Sequence, residues 1–527
     1  MSRIFNTAGP NRPERHYTLP TLARLPEVRE LVASEQWFVL HAPRQSGKTT
    51  AMRALAQELT SSGEYAALWA TCEMGEPYGD DGDTAARLVC QSIASNALDD
   101  LPDELRPPPV AADAPEGGVL ADLLQRWSRA CPRPVVLLLD EIDALRNEAL
   151  ISVLRQLRGI FPSRPRSAPA SLALIGLRDV RDYKVTSSAS GQLGSASPFN
   201  IKAEALTLAN FTAGDVAELY GQHTMETGQA FSAEAVGLAY ELTQGQPWLV
   251  NALAYEVVRR MKVIGPIGAS HIEVAKERLI LSRSTHLDSL ADKLNEPRVR
   301  AVVEPILTGA DLGAEVAQRD IDYCEDLGLI ARDGKLVRIA NPLYREVLPR
   351  ELSWTWQRRM DVPERRWSLA NGRLDFAAIL QAFVDFWRQH GEWMVRGQAW
   401  PEAAQQIVLM AFLQRVVNGG GAIEREYGLG TRRLDLLIRW HVRVDAAGIP
   451  MEEERFALEV KVWRDGRGDP LAEGLAQLDA YCGRLGLGVG TLLIFDARAE
   501  GAGPWEQRGT FEAVTSPGGR VVTLVRL

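Results

Sequence analysis

One nine-residue segment near the N-terminus constrains the fold more than any other part of this 527-residue chain. The apolar run Trp37–Leu40 leads into Ala42-Pro43-Arg44-Gln45-Ser46-Gly47-Lys48-Thr49-Thr50, and helical periodicity follows as far as Leu59. A strand, a tight loop and a helix in this order present backbone N–H groups and a helix N-terminus to an anion. The segment therefore predicts a phosphate-binding loop in an α/β fold with a parallel sheet.

The loop resembles the Walker A motif, with Ala42 where the first glycine is usual. The resemblance implies that residues 42–50 bind nucleotide phosphates, that Lys48 reaches the β- and γ-phosphates, and that Thr49 binds Mg²⁺. A second apolar run, Val135–Leu139, ends in Asp140-Glu141 and resembles the Walker B motif. There Asp140 would hold the magnesium through water and Glu141 would orient the attacking water. The alternative is a chance Gly-Lys-Thr turn and a strand that ends in helix-capping acids.

Further segments extend the resemblance to a family. Together with both motifs, the strand 173–179 and Gly245-Gln246-Pro247-Trp248 are similar to AAA-like ATPases of the STAND and origin-recognition type, over about residues 1–350. The resemblance implies ATP as the nucleotide and Pro247 as a lid residue that approaches it. It also implies a sensor, for which Arg178 is the candidate, and an arginine finger. The finger candidates, each equally consistent with a surface position, are Arg155, Arg158, Arg164 and Arg166.

The order of patterns divides the chain into five parts. Residues 1–210 alternate apolar runs with helical periodicity and predict the P-loop ATPase core, with strands Trp37–His41, Tyr65–Ala70, Val135–Leu139 and Leu172–Leu177. The remaining parts are a helical lid (211–295), a winged-helix-like module (296–350), a linker (351–373) and a C-terminal restriction-endonuclease-like α/β domain (374–527).

The winged-helix-like module is predicted from two helices followed by the hairpin-turn signal Asp333-Gly334. Its second helix carries Asp320, Asp322, Glu325 and Asp326. Acidic side chains repel phosphate, whereas helices that read DNA usually offer basic or amide side chains. We therefore expect this module to pack against other parts of the protein and not to read DNA directly.

The C-terminal part carries a second candidate site. Leu434–Ile438 and Phe456–Trp463 are strand-like, and alternation places Glu459 and Lys461 on one face of the second strand. Two ionisable groups on one face of an apolar strand are costly unless they have a function. If the strands pair, Asp435 and Glu459 would share a divalent metal while Lys461 steadies or deprotonates a water, which suits phosphodiester hydrolysis.

This arrangement resembles the PD-(D/E)xK nuclease superfamily over about residues 375–500, with Leu434 in place of the proline. The resemblance implies catalytic roles for Asp435, Glu459, Lys461 and Gln477, the last on a helix over Leu471–Arg484 that also carries Tyr481. It implies a Mg²⁺ site, in which Mn²⁺ can substitute, with Asp435 and Glu459 as ligands and Glu402 as an outer contact. The substrate would be nucleic acid, with DNA expected. The alternative is an α/β accessory domain with a solvated Glu–Lys pair.

Composition narrows the classes further. Hydrophobic residues at 46% and charged residues at 24% are typical of a soluble globular protein. The absence of an apolar run of eighteen residues predicts a cytoplasmic protein without a membrane partner. A formal charge of −9 argues against coating nucleic acid by bulk electrostatics. The five cysteines and seven histidines show no zinc-ligand spacing.

The leading hypothesis is an ATP-controlled, metal-dependent nuclease, a combination that resembles genome-defence proteins. The main alternative is a STAND-like regulatory ATPase whose C-terminal domain binds DNA or protein without cutting. A translocating DNA-repair ATPase is a third hypothesis, against which the lack of further helicase-like motifs counts. A homo-oligomer is expected only by analogy, because an arginine that acts in trans requires a neighbouring subunit.

Overall fold

The computed structural model of the chain describes residues 3–177, 204–282, 293–308, 312, 316–334, 336–357, 367–396, 404–417, 421–426, 435–445, 449–498 and 504–527. Among the helices of these ranges, none is long and apolar enough to cross a membrane. The chain divides into two compact units. The first comprises Met1–Gln229, Gly245–Tyr255 and Asp326–Gly328, and the second comprises Ala230–Gln244, Glu256–Glu325 and Leu329–Leu527.

A parallel sheet forms the centre of the first unit. Its strands, in the order β2-β3-β4-β1-β5, are β1 (Trp37–His41), β2 (Ala66–Thr71), β3 (Val135–Asp140), β4 (Ser171–Gly176) and β5 (Glu204–Thr207). β3 and β4 are buried along their whole length, which is why they are continuous apolar runs. The predicted α/β fold with a parallel sheet is confirmed, and all four predicted strands begin and end within one residue of the observed bounds. The short, largely exposed β5 has no predicted counterpart.

Helices pack on both faces of this sheet. The described helices of the first unit are α1 (Val28–Ala33), α2 (Lys48–Ser61), α3 (Gly82–Asp100), α4 (Val119–Ala130), α5 (Asn147–Ile160), α6 (Ala213–Thr227) and α8 (Pro247–Tyr255), while α7 (Ala233–Thr243) and α9 (Ala269–Leu281) belong to the second unit. Alternate residues of β1 enter two separate cores, with Trp37 and Val39 in one and Phe38 and Leu40 in the other. The second core contains the apolar face of α2. This packing fixes the start of α2 at the carboxyl end of β1.

The second unit contains the predicted hairpin. Helices α10 (Pro297–Thr308) and α11 (Gln318–Asp326) precede β6 (Ile330–Asp333) and β7 (Leu336–Ile339), which pair antiparallel, and α12 (Pro342–Gln357) follows. Gly334 in the turn has a φ of 60°, a value that favours glycine. Arg332 of β6 forms ion pairs with Asp322 and Glu325, so two of the acidic side chains of α11 are paired within the hairpin region.

A mixed six-stranded sheet forms the rest of the second unit. Its strands, in the order β12-β13-β11-β10-β9-β8, are β8 (Gly421–Glu426), β9 (Asp435–Val444), β10 (Pro450–Trp463), β11 (Val489–Asp496), β12 (Thr510–Thr515) and β13 (Val521–Arg526). The accompanying helices are α13 (Phe376–Arg396), α14 (Ala404–Val417) and α15 (Leu471–Leu485). Strands β13 and β12 pair beyond β11, so β11 lies inside the sheet.

Ion pairs and a hydrogen bond connect helices α9 and α12 with strands β8 and β9 within the second unit. We call this set the α9 network: Lys276, Glu277, Glu346, Arg350, Glu424 and Arg439. Nζ of Lys276 lies 3.0 Å from Oε1 of Glu346, and Nη1 of Arg350 lies 3.0 Å from Oε2 of Glu277. Arg439 Nη1 lies 2.9 Å from Glu424 Oε1, and Arg350 Nη2 also donates to the carbonyl oxygen of Ile423 at 2.9 Å.

Electrostatics show that the members of the α9 network depend on one another. Burial opposes the charged form of Lys276, but the surrounding carboxylates outweigh burial and raise its pKa. Burial alone would likewise raise the pKa of Glu277, but Arg350 and Lys276 hold it below its ordinary value. Removing one member of such a set leaves a buried charge uncompensated, which usually costs far more than a surface ion pair contributes.

We expect the substitution Lys276→Met to lower the free energy of unfolding by about 3–5 kcal/mol, because Glu346 then stays buried without its nearest cation. Urea unfolding followed by circular dichroism measures this change. Adding Glu346→Gln to the Lys276→Met variant should restore part of the loss, since the unpaired charge is removed. The control is Arg29→Gln, which breaks an exposed pair with Glu58. A Lys276→Met variant as stable as this control would contradict the expectation.

Candidate functional site

The phosphate loop runs from the end of β1 to the start of α2. Gln45 and Gly47 adopt positive φ values of 57° and 95°, which turn the chain into the helix. Ala42 is 1% exposed and its φ is not in the positive region, so glycine is not required at this position. This explains how the loop forms without the first glycine of the motif.

Lys48 occupies the centre of the loop. Its Nζ donates to the carbonyl oxygens of Ala42 at 2.6 Å and of Pro43 at 2.9 Å. Burial lowers the pKa of Lys48 to about 8, although the carboxylate of Asp140 opposes that shift. A bound phosphate would stabilise the partly desolvated ammonium group of Lys48, because the two opposite charges compensate each other.

Asp140, the last residue of β3, and Glu141, which follows it, both accept hydrogen bonds. Thr49 donates through Oγ1 to Oδ2 of Asp140 at 2.6 Å, and the backbone N–H of Glu141 donates to Oδ1 at 2.9 Å. Glu141 has a φ of 56°, and its Oε2 accepts a hydrogen bond from Thr71 Oγ1 at 2.9 Å. Burial raises the pKa of Glu141, and the Thr71 hydroxyl partly opposes that shift. The hydroxyl of Thr49 and the carboxylate of Asp140 are hard oxygen donors and fit Mg²⁺.

Thr71 is a site residue that sequence reasoning missed. It ends β2, and the parallel register places it directly beside Asp140 of β3. A polar residue at the end of a strand that neighbours the Walker B strand was the available signal, because parallel strands end at the same edge.

Pro247 lies at the start of α8, in the same compact unit as the phosphate loop. The turn before it depends on Gly245, whose φ is 70° and where an added Cβ would lie 1.8 Å from the carbonyl oxygen of Phe211. Oε1 of Gln246 accepts from the N–H of Leu249 at 2.6 Å and caps the helix. The structure thus fixes the backbone of this segment, while the contact of Pro247 with nucleotide stays a prediction.

The arginine candidates occupy different environments. Arg155 lines a cleft together with acidic residues that include Asp81 and Glu148. Arg164 stacks on the ring of Phe161 at 3.6 Å, and both Arg158 and Arg166 are exposed. Arg178 lies outside the described residues. The roles of these arginines as sensor or finger therefore stay predictions.

Glu459 is the central residue of the C-terminal candidate site. It lies in β10, is 0% exposed, and neither of its carboxylate oxygens accepts a hydrogen bond from a described residue. Nζ of Lys461 lies 3.0 Å from Oε1 of Glu459. The antiparallel register of β9 and β10 places Asp435 directly opposite Glu459. Directly opposite residues of an antiparallel pair share one face of the sheet.

Two side chains of α15 approach Lys461. Its Nζ donates to Oε1 of Gln477 and lies 3.4 Å from Oε1 of Glu473, which also accepts from Gln477 Nε2 at 2.9 Å. Gly474 permits this approach, because an added Cβ would lie 2.7 Å from Leu492 Cδ1 of β11. Sequence reasoning singled out Gln477 and missed Glu473, although the spacing of four residues places both on one face of the helix.

Other predicted members of this site are placed differently. Tyr481 is 1% exposed and packs in the core between α15 and the sheet, so it presents no surface to nucleic acid here. Glu424, on the neighbouring strand β8, is half-buried in the α9 network. Glu402 and Leu434 lie outside the described residues, and of Asp435 only the backbone is described.

The C-terminal candidate site offers carboxylates to a divalent cation. Lys461 compensates the buried charge of Glu459 at 3.0 Å, and carboxylate oxygens that accept no hydrogen bond are also available to a divalent ion, so Glu459 fits a metal ligand. Among the described side chains, no group of three or more His, Cys, Asp or Glu is arranged to hold a metal ion. The fit of the site to a metal therefore depends on Glu459 together with its opposite neighbour Asp435.

Comparisons with known proteins give one family match and several similar solved structures. Residues 32–183 match the family model of an AAA domain. A search of curated proteins found no match. Similar solved structures include a Walker-type ATPase of Pyrococcus abyssi, with 14% identity over 65% of this chain and 99% of that chain at a TM-score of 0.46. The Holliday junction branch migration motor RuvB of Thermotoga maritima matches with 15% identity over 60% of this chain and 89% of its own, with a TM-score of 0.34.

Cdc6p of Pyrobaculum aerophilum matches with 12% identity over 63% of this chain and 94% of its own, with a TM-score of 0.35. All three TM-scores lie below 0.5, so the assignment depends on the AAA family match and on the geometry of the phosphate loop. An AAA domain implies ATP as the nucleotide, usually with Mg²⁺. The segment 32–183 of this chain is an AAA-type P-loop ATPase domain.

Proposed function

We propose that this protein is an ATP-hydrolysing, metal-dependent nuclease that acts on DNA and is gated by its nucleotide state. The observation that carries the nuclease proposal is the fully buried carboxylate of Glu459, which lies 3.0 Å from the ammonium group of Lys461 and in register with Asp435. A carboxylate and a lysine at this depth are costly in a domain that only packs. Their place beside a second strand-borne acid supports a catalytic site.

Each residue of the site would have a distinct task. Glu459 and Asp435 would hold the metal, which when bound offsets negative charge on the phosphodiester. Lys461 would position the attacking water, because its ammonium group is held between Glu459, Gln477 and Glu473. Gln477 fixes the orientation of Lys461 and donates in turn to Glu473, so α15 pre-organises the amine.

Within the second unit, the α9 network would carry a signal from α9 to the C-terminal site. Lys276 and Glu277 lie on α9, within the segment predicted as the lid, and pair with α12 and, less closely, with β8. β8 pairs with β9, and β9 pairs with the strand that carries Glu459 and Lys461. A displacement of α9 would therefore reach the nuclease-like sheet through ion pairs that are costly to break.

We further propose that the protein is a cytoplasmic homo-oligomer with a role in genome defence.

A cleavage assay with the full chain tests this function. Linear and supercoiled duplex DNA, single-stranded DNA and RNA are incubated with Mg²⁺ or Mn²⁺, with and without ATP, beside a reaction that contains EDTA. We expect metal-dependent cutting of DNA whose rate changes when ATP is present. ATP hydrolysis without cutting of any substrate would instead favour a regulatory ATPase whose C-terminal domain only binds.

A further inference from the structure

Trp69 of β2 makes one polar contact that packing alone does not explain. Its indole Nε1–H donates to Oδ2 of Asp140 at 3.1 Å. The same oxygen accepts from the hydroxyl of Thr49 at 2.6 Å, and Oδ1 accepts from the N–H of Glu141 at 2.9 Å. Donors thus reach both oxygens of this carboxylate, which is 2% exposed, and they fix its rotation about the Cβ–Cγ bond.

The ring of Trp69 is itself supported by α2. The guanidinium carbon of Arg53 lies 4.5 Å from the centre of the ring, and Arg53 is four residues after Thr49 on the same helix. The ring also contacts the apolar core under α2. A phenyl ring would preserve most of this packing, but only an indole supplies a donor that reaches Asp140.

We propose that Trp69 is a positioning residue for magnesium in the ATPase site. It would orient the Asp140 carboxylate so that Oδ2 faces Thr49, the residue expected to bind the ion. Hydrogen bonds to a buried carboxylate are among the stronger ones in proteins. Partners that orient a metal-binding side chain typically change metal affinity or activity about ten- to hundredfold when they are lost. This inference concerns the ATPase domain and is independent of any nuclease activity.

The test is the substitution Trp69→Phe in the full chain, with Arg53→Gln as the matched control. Binding of a non-hydrolysable ATP analogue is measured by calorimetry at increasing Mg²⁺ concentrations, and steady-state ATP hydrolysis is measured alongside. We expect Trp69→Phe to raise the Mg²⁺ concentration at which its effect on analogue binding is half-maximal by about ten- to hundredfold. Binding of the analogue without metal should be unchanged. Arg53→Gln, which keeps the indole donor, should stay near the wild type.

Three outcomes would overturn the inference. The first is a Mg²⁺ dependence of Trp69→Phe equal to that of the wild type. The second is a loss of metal-free analogue binding by Trp69→Phe that is as large as its loss of binding in Mg²⁺. The third is the same defect in Arg53→Gln. The last two would mean that the ring supports the fold of the site and not the orientation of Asp140. If Trp69→Phe does not fold, as judged by circular dichroism, Trp69→Met serves the same test, since methionine fills irregular space and also lacks the donor.

Discussion

Replacing Glu459 by glutamine is expected to abolish metal-dependent cleavage, with a loss of at least about a hundredfold. Loss of a residue that only orients a metal ligand typically lowers metal affinity or activity by up to about a hundredfold. Glu459 is proposed as a ligand itself, so its loss should lower activity at least as much. The substitution keeps the shape of the side chain while it removes the charge next to Lys461. Cleavage of duplex DNA in Mg²⁺ measures the effect, and ATP hydrolysis by the same variant shows that the first unit stays intact.

The matched control is Glu452→Gln on the same strand. Glu452 is partly exposed and pairs with Arg443 and Arg373. On the neighbouring strand it lies opposite Arg443 and not opposite Asp435. Lys461→Met should show the same loss as Glu459→Gln, because it removes the amine that α15 holds in place. Full cleavage by Glu459→Gln, or equal losses in Glu452→Gln, would remove the basis for a nuclease site at Glu459.

Replacing Lys48 by alanine is expected to reduce ATP hydrolysis about a hundredfold to a thousandfold. A lysine that clamps the transferring phosphoryl group contributes stabilisation of this order, and Lys48 is the cation that lies at the centre of the phosphate loop. Phosphate release measures hydrolysis, and calorimetry measures ATP binding. The control is Lys262→Gln, which changes an exposed lysine outside the loop.

The same Lys48→Ala variant also tests gating. If nucleotide state controls the C-terminal site, cleavage by this variant should no longer respond to ATP, while its rate without ATP equals that of the wild type. A variant that has lost ATP binding but still cuts faster or slower when ATP is added would show that the coupling is wrong. The nuclease proposal would survive that result, because it depends on Glu459, Lys461 and Asp435 and not on the phosphate loop.

The parts of the fold that the sequence predicted are those with strong local signals. The phosphate loop and the strands around it are long apolar runs with charged or polar ends, and parallel strands bring those ends to one edge. The hairpin at Asp333-Gly334 was predicted for a similar reason, since that dipeptide specifies its turn. These features depend on a few consecutive residues.

The parts that the sequence did not predict depend on pairing at a distance. Thr71 and Trp69 are ordinary strand residues until the register of β2 and β3 places them beside Asp140 and Glu141. Glu473 gains its contact with Lys461 only because Gly474 lets α15 approach the sheet. Strand β12 is short and almost wholly exposed, and the buried positions of β13 do not alternate, so their addition to the sheet is a tertiary effect.

The α9 network has a consequence for how this chain can be divided. A cut near residue 374 would leave Lys276 and Arg350 on one fragment and Glu424 and Arg439 on the other. The closest pairs of the network would stay within one fragment, but the cut would separate Arg439 from Glu273, which lie 2.6 Å apart, and Lys276 from Glu424 at 3.9 Å. The C-terminal segment therefore cannot be transferred freely to another protein. A chimera that joins it to another ATPase would need matching charges where α9 and α12 contact β8 and β9.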